Sequence, residues 1–275
     1  MKKEIITIDQ LKAGSVAVLG IPFDAYSSFM RGPALAPQAI RDAFYCPSAN
    51  TYTENVLHLE AEPRLQDIGD IKVEHFLTDI KDPVTQILQR GATVMSLGGD
   101  HSITYPIIAA YAQKYKNLNI LHLDAHADLY DIYDGNPYSH ACPFARIMEE
   151  NLAVRLVQIG IRTLPTHELE QARRWGVEII AMKQWNPSLK LVFDGPLYIS
   201  LDMDVLDPAF APGVSHHEPG GLSSREVIQL LQNLDARVVG ADIVELNPNR
   251  DIMDMTARTA AKFFKEIVGK MLTVT

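Results

Sequence analysis

The chain has 275 residues, of which 47% are hydrophobic and 21% charged, a balance typical of a globular protein with a substantial core. Its 34 acidic and 25 basic side chains give a net charge of −9, which argues against nucleic acid or an anionic membrane surface as a partner. No run approaches the ~20 apolar residues of a transmembrane helix, no signal peptide is evident, and two cysteines are too few for a disulfide framework. We therefore expect a cytoplasmic protein.

The predicted elements alternate along the chain between short apolar strands and amphipathic helices. Strands are predicted at residues 15–21, 93–97, 119–124, 155–161, 178–181, 197–204 and 237–246. Helices are predicted at residues 37–44, 83–90, 105–115, 143–151, 166–175, 223–234 and 255–271. Most strands are continuously apolar, which is typical of a parallel sheet covered on both faces. Because no linker or repeat interrupts the pattern, residues 1–275 are predicted to form a single α/β domain, with its functional site beyond the carboxyl ends of the strands.

Histidines and aspartates follow three of the predicted strands. The clusters are Gly98-Gly99-Asp100-His101-Ser102, Asp124-Ala125-His126-Ala127-Asp128 and Asp202-Met203-Asp204. Buried carboxylates are costly unless a positive charge neutralises them, and the clusters contain no Lys or Arg. Alternate side chains of an extended segment point the same way, so each cluster presents several ligands together.

A metal site is therefore predicted, with six candidate ligands: His101, Asp124, His126, Asp128, Asp202 and Asp204. Six carboxylate and imidazole groups exceed the needs of one tetrahedral zinc and suit a pair of divalent ions, manganese rather than a metal that prefers thiolates. Asp100 is interpreted as a structural residue that supports His101.

Several polar residues outside the clusters allow more than one interpretation. Glu245 ends the last strand, where it could pair with a cationic substrate or cap a loop, and His140 could transfer protons. The remaining candidates are interpreted as structural: His122, Cys142, His216 and His217.

Together, the three clusters resemble the signatures of the ureohydrolases, the family of arginases and agmatinases. The similarity runs from Gly20-Ile21-Pro22 to the last predicted helix, and residues 209–223 and 138–141 are similar to plant-type arginases. The resemblance implies a three-layer α/β/α domain with a mainly parallel eight-stranded sheet. It also implies two Mn²⁺ per subunit and a homotrimer or homohexamer.

The same resemblance implies a role for each site residue. One ion would be held by His101, Asp124, Asp128 and Asp202, and the other by His126, Asp124, Asp202 and Asp204. Glu245 would bind the guanidinium group, Asp128 would carry a proton to the leaving amine, and His140 would exchange that proton with solvent. The products would be urea and a primary amine.

The resemblance across the whole chain favours L-arginine as the substrate, with agmatine as the second choice. The loops alone favour agmatine, because Tyr130 stands where animal-type arginases have an amino-acid-binding Asn, and residues 160–165 lack an Asp for the α-amine. The predicted substrate contacts are Tyr130, Asn136, Ser139 and Glu245, with Asp131 or Asp134 available for an amine. The sequence also leaves open a hydrolase of another guanidino acid or of formiminoglutamate, and a non-catalytic relative.

Overall fold

A single sheet of eight strands organises residues 4–273, which are the residues that the computed structural model describes. The strands are β1 (Val16–Gly20), β2 (Leu65–Asp70), β3 (Thr93–Leu97), β4 (Asn119–Leu123), β5 (Arg155–Ile159), β6 (Glu178–Ile180), β7 (Val192–Asp202) and β8 (Asp235–Val244). Their order across the sheet is β2-β1-β3-β8-β7-β4-β5-β6, and every neighbouring pair is parallel. The sheet expected to be mainly parallel is therefore parallel throughout.

Helices cover both faces of this sheet. They are α1 (Ala36–Phe44), α2 (Phe76–Gln89), α3 (Thr104–Lys114), α4 (Pro143–Glu149), α5 (Thr166–Trp175), α6 (Ser224–Asn233) and α7 (Met255–Thr273). Apolar residues of α1, α6 and α7 form one core cluster with the sheet, and those of α2, α3, α4 and α5 form another. The predicted three-layer α/β/α architecture is confirmed. Among residues 4–273, no helix has the length and apolar character needed to cross a bilayer.

Three elements differ clearly from the prediction, and one of them is β7, which begins at Val192 instead of residue 197. Strand β2 was not predicted, because three of the six residues in its sequence Leu-Gln-Asp-Ile-Gly-Asp are polar and do not alternate with apolar ones. The strand lies at the edge of the sheet. Helix α2 begins at Phe76 instead of residue 83, so that Pro83 lies inside it. An internal proline costs a helix about 3 kcal/mol. The buried side chains of Phe76 and Ile80, which precede the proline, offset that cost by packing against the sheet.

Four adjacent strands in the middle of the sheet place the predicted site. The order β3-β8-β7-β4 brings their carboxyl ends side by side. The chain leaves β3 through Gly99, where an added Cβ would lie only 1.8 Å from the carbonyl oxygen of Phe23, so only glycine fits. Because parallel strands end at one edge, side chains distant in sequence meet there.

Candidate metal centre and substrate cavity

The first half of the metal centre surrounds the buried ring of His101. Its Nδ1 atom lies 3.1 Å from Asp124 Oδ2, 3.1 Å from Asp128 Oδ2 and 3.2 Å from Asp202 Oδ2. These four residues come from the ends of three different strands, and none of them is more than 8% exposed. Asp128 reaches the cluster in a left-handed backbone conformation, with φ of 53°, which is uncommon for a residue other than glycine.

The second half lies around His126, next to the first. His126 Nδ1 lies 3.0 Å from Asp204 Oδ2 and 3.5 Å from Asp124 Oδ1. Asp124 thus offers one carboxylate oxygen to each half, which is the arrangement of a bridging ligand. Two sets of side chains that could hold a metal ion share this residue: His101, His122, Asp124 and Asp128 in one, and Asp124, His126 and Asp204 in the other.

The chemistry of this cluster fits divalent cations. His101 Nδ1 is buried without a hydrogen-bond partner, although three carboxylate oxygens converge on it. Burial, together with neighbouring carboxylates, raises the pKa of both Asp202 and Asp204 above the usual value. No lysine or arginine of the described chain lines the adjoining cavity. Crowded carboxylates and an unpartnered imidazole nitrogen are the donor set that a divalent metal ion stabilises.

Hydrogen bonds behind the ligands orient them. His101 Nε2 lies 2.9 Å from Ser200 Oγ, and the Ser200 hydroxyl donates to Asp242 at 2.7 Å. On the other side, His122 Nε2 donates to Asp124 Oδ2 at 2.7 Å. His122 is fully buried, as its interpretation as a core residue requires, but its contact with Asp124 also gives it a part in shaping the metal centre.

Glu245 and His140 form a buried pair beside the ligands. Glu245 Oε1 accepts hydrogen bonds from the backbone N–H of His101 at 3.0 Å and from His140 Nδ1 at 2.9 Å. Burial opposes the charge on each group, but the pairing raises the pKa of His140 to about 9 and lowers the pKa of Glu245. Glu245 Oε2 is buried with no hydrogen-bond partner, so one carboxylate oxygen remains available to a cation.

A cavity of about 150 Å³ opens above the cluster. We call the metal-ligand cluster with His140 and Glu245 the floor of this cavity. We call the surrounding side chains the rim: Ser28, Tyr130, Tyr133, Thr163, Glu168 and His216. The cavity therefore has a densely charged floor and a rim of mostly neutral polar groups.

Of the six rim residues, only Tyr130 was identified as a site residue from the sequence. His216 was interpreted as structural, but its ring lies 5.2 Å from that of His140 and 6.0 Å from that of His126, at the cavity. Glu168 is buried at the start of α5, where its Oε1 accepts from Leu129 N–H at 2.8 Å, and burial raises the pKa of this carboxyl to about 8. Ser28 belongs to a loop far away in sequence. Nothing in their local sequence marks these residues, because tertiary packing alone brings them to the cavity.

The predicted substrate contacts divide into two groups. Tyr130 and Glu245 line the cavity. Asn136 and Ser139 are not among the residues that line it, since the side chain of Asn136 accepts from Tyr138 N–H and Ser139 is buried, 3% exposed. The roles of these two residues stay predictions.

Two further interpretations concern residues beside the floor. Cys142 is fully buried, and burial raises the pKa of its thiol to about 12, in keeping with a packing residue. Asp100 has a structural role, as interpreted from the sequence. Its carboxylate accepts hydrogen bonds from the backbone N–H groups of Ser102 and Tyr26 and from the hydroxyl of Ser27, but none from the ring of His101. The prediction that Asp100 supports His101 is therefore corrected: this residue anchors a loop.

Comparison with known proteins agrees with this geometry. The model of the arginase family matches residues 14–269. The chain belongs to the arginase family. It is 44% identical to arginase 1, mitochondrial, of Arabidopsis thaliana, over 98% of this chain and 85% of that protein. It is 33% identical to the agmatinase of Bacillus anthracis, over 92% of this chain and 90% of that protein.

A solved structure of an arginase-family protein has the same fold. The arginase from Medicago truncatula superimposes with a TM-score of 0.88 at 40% identity, covering 95% of this chain and 88% of that chain. The predicted ureohydrolase resemblance and the arginase-like fold are confirmed. This arginase-family chain is accordingly a hydrolase that acts on guanidino C–N bonds.

Proposed function

We propose that this enzyme hydrolyses L-arginine to L-ornithine and urea. The observation that carries the proposal is the buried, unpartnered Oε2 of Glu245, which faces a cavity floored by metal-ligating side chains. A carboxylate in this position matches the planar cation of a guanidino group, because it can accept hydrogen bonds from two N–H groups. The similarity to a plant arginase over 98% of the chain supports arginine as the compound that carries the group.

Two Mn²⁺ per subunit complete the proposed site. The ligands are the six predicted from the sequence: His101, Asp124, His126, Asp128, Asp202 and Asp204. Carboxylate and imidazole donors without any thiolate suit a borderline ion such as manganese. When bound, the ions would lower the pKa of water toward neutrality, supplying a nucleophile for the guanidino carbon.

The protein's own side chains orient the substrate and move the protons. Glu245 binds the guanidinium group and orients it so that the guanidino carbon faces the metal ligands. The amine can leave only after it gains a proton. We assign the delivery of this proton to Asp128, which lies on the cavity floor. His140 contacts Glu245 at 2.9 Å, and we assign to it the exchange of that proton with solvent.

Agmatine is the second candidate substrate, and the rim favours it. Arginine carries an α-carboxylate, yet no lysine or arginine of the described residues lines the cavity. The rim offers an arginine carboxylate the hydroxyl groups of Tyr130 and Thr163, while the carboxyl group of Glu168 offers an oxygen to an amine.

The organisation of the protein is part of the proposal. We infer one domain over residues 1–275, acting as a homotrimer or homohexamer in the cytoplasm. Both cysteines are free thiols, as expected in a reducing compartment.

Urea release tests the proposed function directly. Mn²⁺-loaded protein is assayed with L-arginine and agmatine side by side at matched concentrations, with bound metal measured on the same sample. Faster urea release from arginine is the expected result, and faster release from agmatine would favour the second candidate. Urea from neither compound, with two metals bound, would overturn both and point to another guanidino acid or formiminoglutamate as the substrate.

A further inference from the structure

The loop of residues 24–32, which follows β1, is tied down beside the cavity. Asp24 Oδ2 accepts from the backbone N–H of Gly32 at 2.8 Å. Asp100 Oδ2 accepts from the N–H of Tyr26 at 3.0 Å and from the hydroxyl of Ser27 at 3.3 Å. Asp100 is fully buried next to the ligand His101, so the loop is anchored to the wall of the metal centre.

This anchoring brings Ser28 to His140. The backbone N–H of His140 donates to the carbonyl oxygen of Tyr26 at 3.3 Å. In the side chain, His140 Nε2 lies 2.8 Å from Ser28 Oγ. The other ring nitrogen, Nδ1, contacts Glu245 Oε1 at 2.9 Å. Both nitrogens of His140 are therefore engaged, one by the carboxylate of the floor and the other by the hydroxyl of Ser28.

Solvent exposure of the side chains increases from Glu245 through His140 to Ser28. Glu245 is 4% exposed and His140 9% exposed, whereas Ser28 is solvent-exposed and lines the cavity. The sequence Glu245–His140–Ser28 is thus a continuous hydrogen-bonded path from the buried carboxylate to water. Such paths move protons without any movement of heavy atoms, because each group accepts one proton as it passes on another.

We propose that Ser28 relays protons between His140 and solvent during turnover, an inference that rests on the proposed hydrolysis. After His140 has given up a proton toward the leaving amine, the neutral ring keeps its remaining proton on Nδ1, where Glu245 accepts it, and the bare Nε2 accepts the proton of the Ser28 hydroxyl. The Oγ–H bond breaks as the Nε2–H bond forms, and a buffer acid in solvent transfers its proton to Oγ in the same step, so that no free alkoxide forms. The net change is one proton moved from the buffer acid to His140. Ser28 acts through His140, so it is a positioning residue.

Substitution of Ser28 tests the relay. In Ser28→Ala we expect kcat to fall about tenfold, with KM and metal content unchanged, because only a proton-transfer step is slowed. Ser28→Thr keeps the hydroxyl and should retain most of the wild-type kcat. Ser27→Ala is the matched control, since the neighbouring hydroxyl bonds to Asp100 and not to His140. It should behave as wild type.

Added buffer separates a relay from a merely structural role. Imidazole at increasing concentration should restore the kcat of Ser28→Ala toward the wild-type value, because a small acid can replace the missing hydroxyl as proton donor. Wild type and Ser27→Ala should not respond. A kcat of Ser28→Ala equal to wild type, or a loss that no imidazole concentration restores, would overturn the relay.

A second measurement keeps the relay separate from the proposed function. The exchange of the His140 ring proton with water is followed by NMR in protein loaded with a diamagnetic divalent ion, without substrate. Slower exchange in Ser28→Ala than in wild type supports the relay even if neither guanidino compound yields urea, and equal exchange rates overturn it. Absence of urea from the wild type would instead count against the proposed function alone.

Discussion

Apart from His140, which lies in a loop, the floor of the cavity is built from residues at or just after the ends of four adjacent strands. The rim comes from loops and the start of one helix. The ligands that follow β4 and β7, such as Asp124 and Asp202, are almost completely buried. Most rim side chains, such as Tyr130 and His216, are only partly buried. Backbone hydrogen bonds within the sheet hold the floor, so its geometry follows from the fold. The rim depends on how separate loops pack, and we infer that the floor determines the reaction while the rim selects the substrate.

The sharpest test of the floor is the removal of a bridging carboxylate. Asp124→Asn should lose both metals and lower kcat/KM by at least about a thousandfold, because the ions supply the activated water. Metal content and urea release are measured on the same sample. Asp235→Asn, at an exposed carboxylate at the start of β8, is the control that should keep both. Two metals per subunit in Asp124→Asn would contradict the bridging role.

A second change to the floor should separate substrate binding from metal binding. Glu245→Gln keeps the size of the side chain and an oxygen for His101 N–H, but removes the charge that pairs with a guanidinium. We expect metal content to stay unchanged and kcat/KM to fall about a hundredfold, equivalent to roughly 3 kcal/mol. Unchanged kinetics would remove Glu245 from substrate binding.

At the rim, Glu168 should make stability depend on pH. Burial raises the pKa of this carboxyl from 4.5 to about 8, so the folded protein favours the neutral form. Its stabilising contribution is complete below pH 4.5 and is lost as the pH rises through 8. The Tm of wild type should therefore decrease as the pH rises from 5 to 8.5. The decrease should be about 3 °C smaller in Glu168→Gln, because this variant has no carboxyl group to ionise.

The control for this experiment is Glu170→Gln, at an exposed position of the same helix. Its Tm should follow that of wild type across the pH range. Parallel Tm curves for Glu168→Gln and wild type would show that the Glu168 carboxyl titrates alike in the folded and unfolded chains.

The smallest expected effect concerns the hydroxyl of Tyr130. If this group donates to the carboxylate of arginine, Tyr130→Phe should raise KM for L-arginine about threefold, the loss expected for one neutral hydrogen bond. Agmatine has no carboxylate, so its KM should stay the same and serves as the internal control. An equal rise for both substrates would assign Tyr130 to the cavity wall and not to carboxylate recognition.

The candidate metal centre was the most predictable part of the molecule. Its candidate ligands follow strands directly, and a motif such as Asp124-Ala125-His126 brings several potential ligands together within a few residues. The edge strand β2 and the first half of α2 were less predictable, because a short polar sequence gives no clear strand pattern and an internal proline argues against a helix. Packing against the sheet overrides both local signals.

The sequence by itself determined the fold class and identified the candidate ligands of the floor, because a parallel sheet brings all its carboxyl strand ends to one edge. Only the tertiary structure decided which residues form the rim. Ser28, Glu168 and His216 are far apart in the chain, and each reaches the cavity through the packing of its own loop or helix. The contact of Ser28 with His140 joins residues 112 positions apart, and it exists because Asp100 anchors the loop that carries Ser28. No local pattern encodes such a contact, since its energy arises only when the folded parts meet.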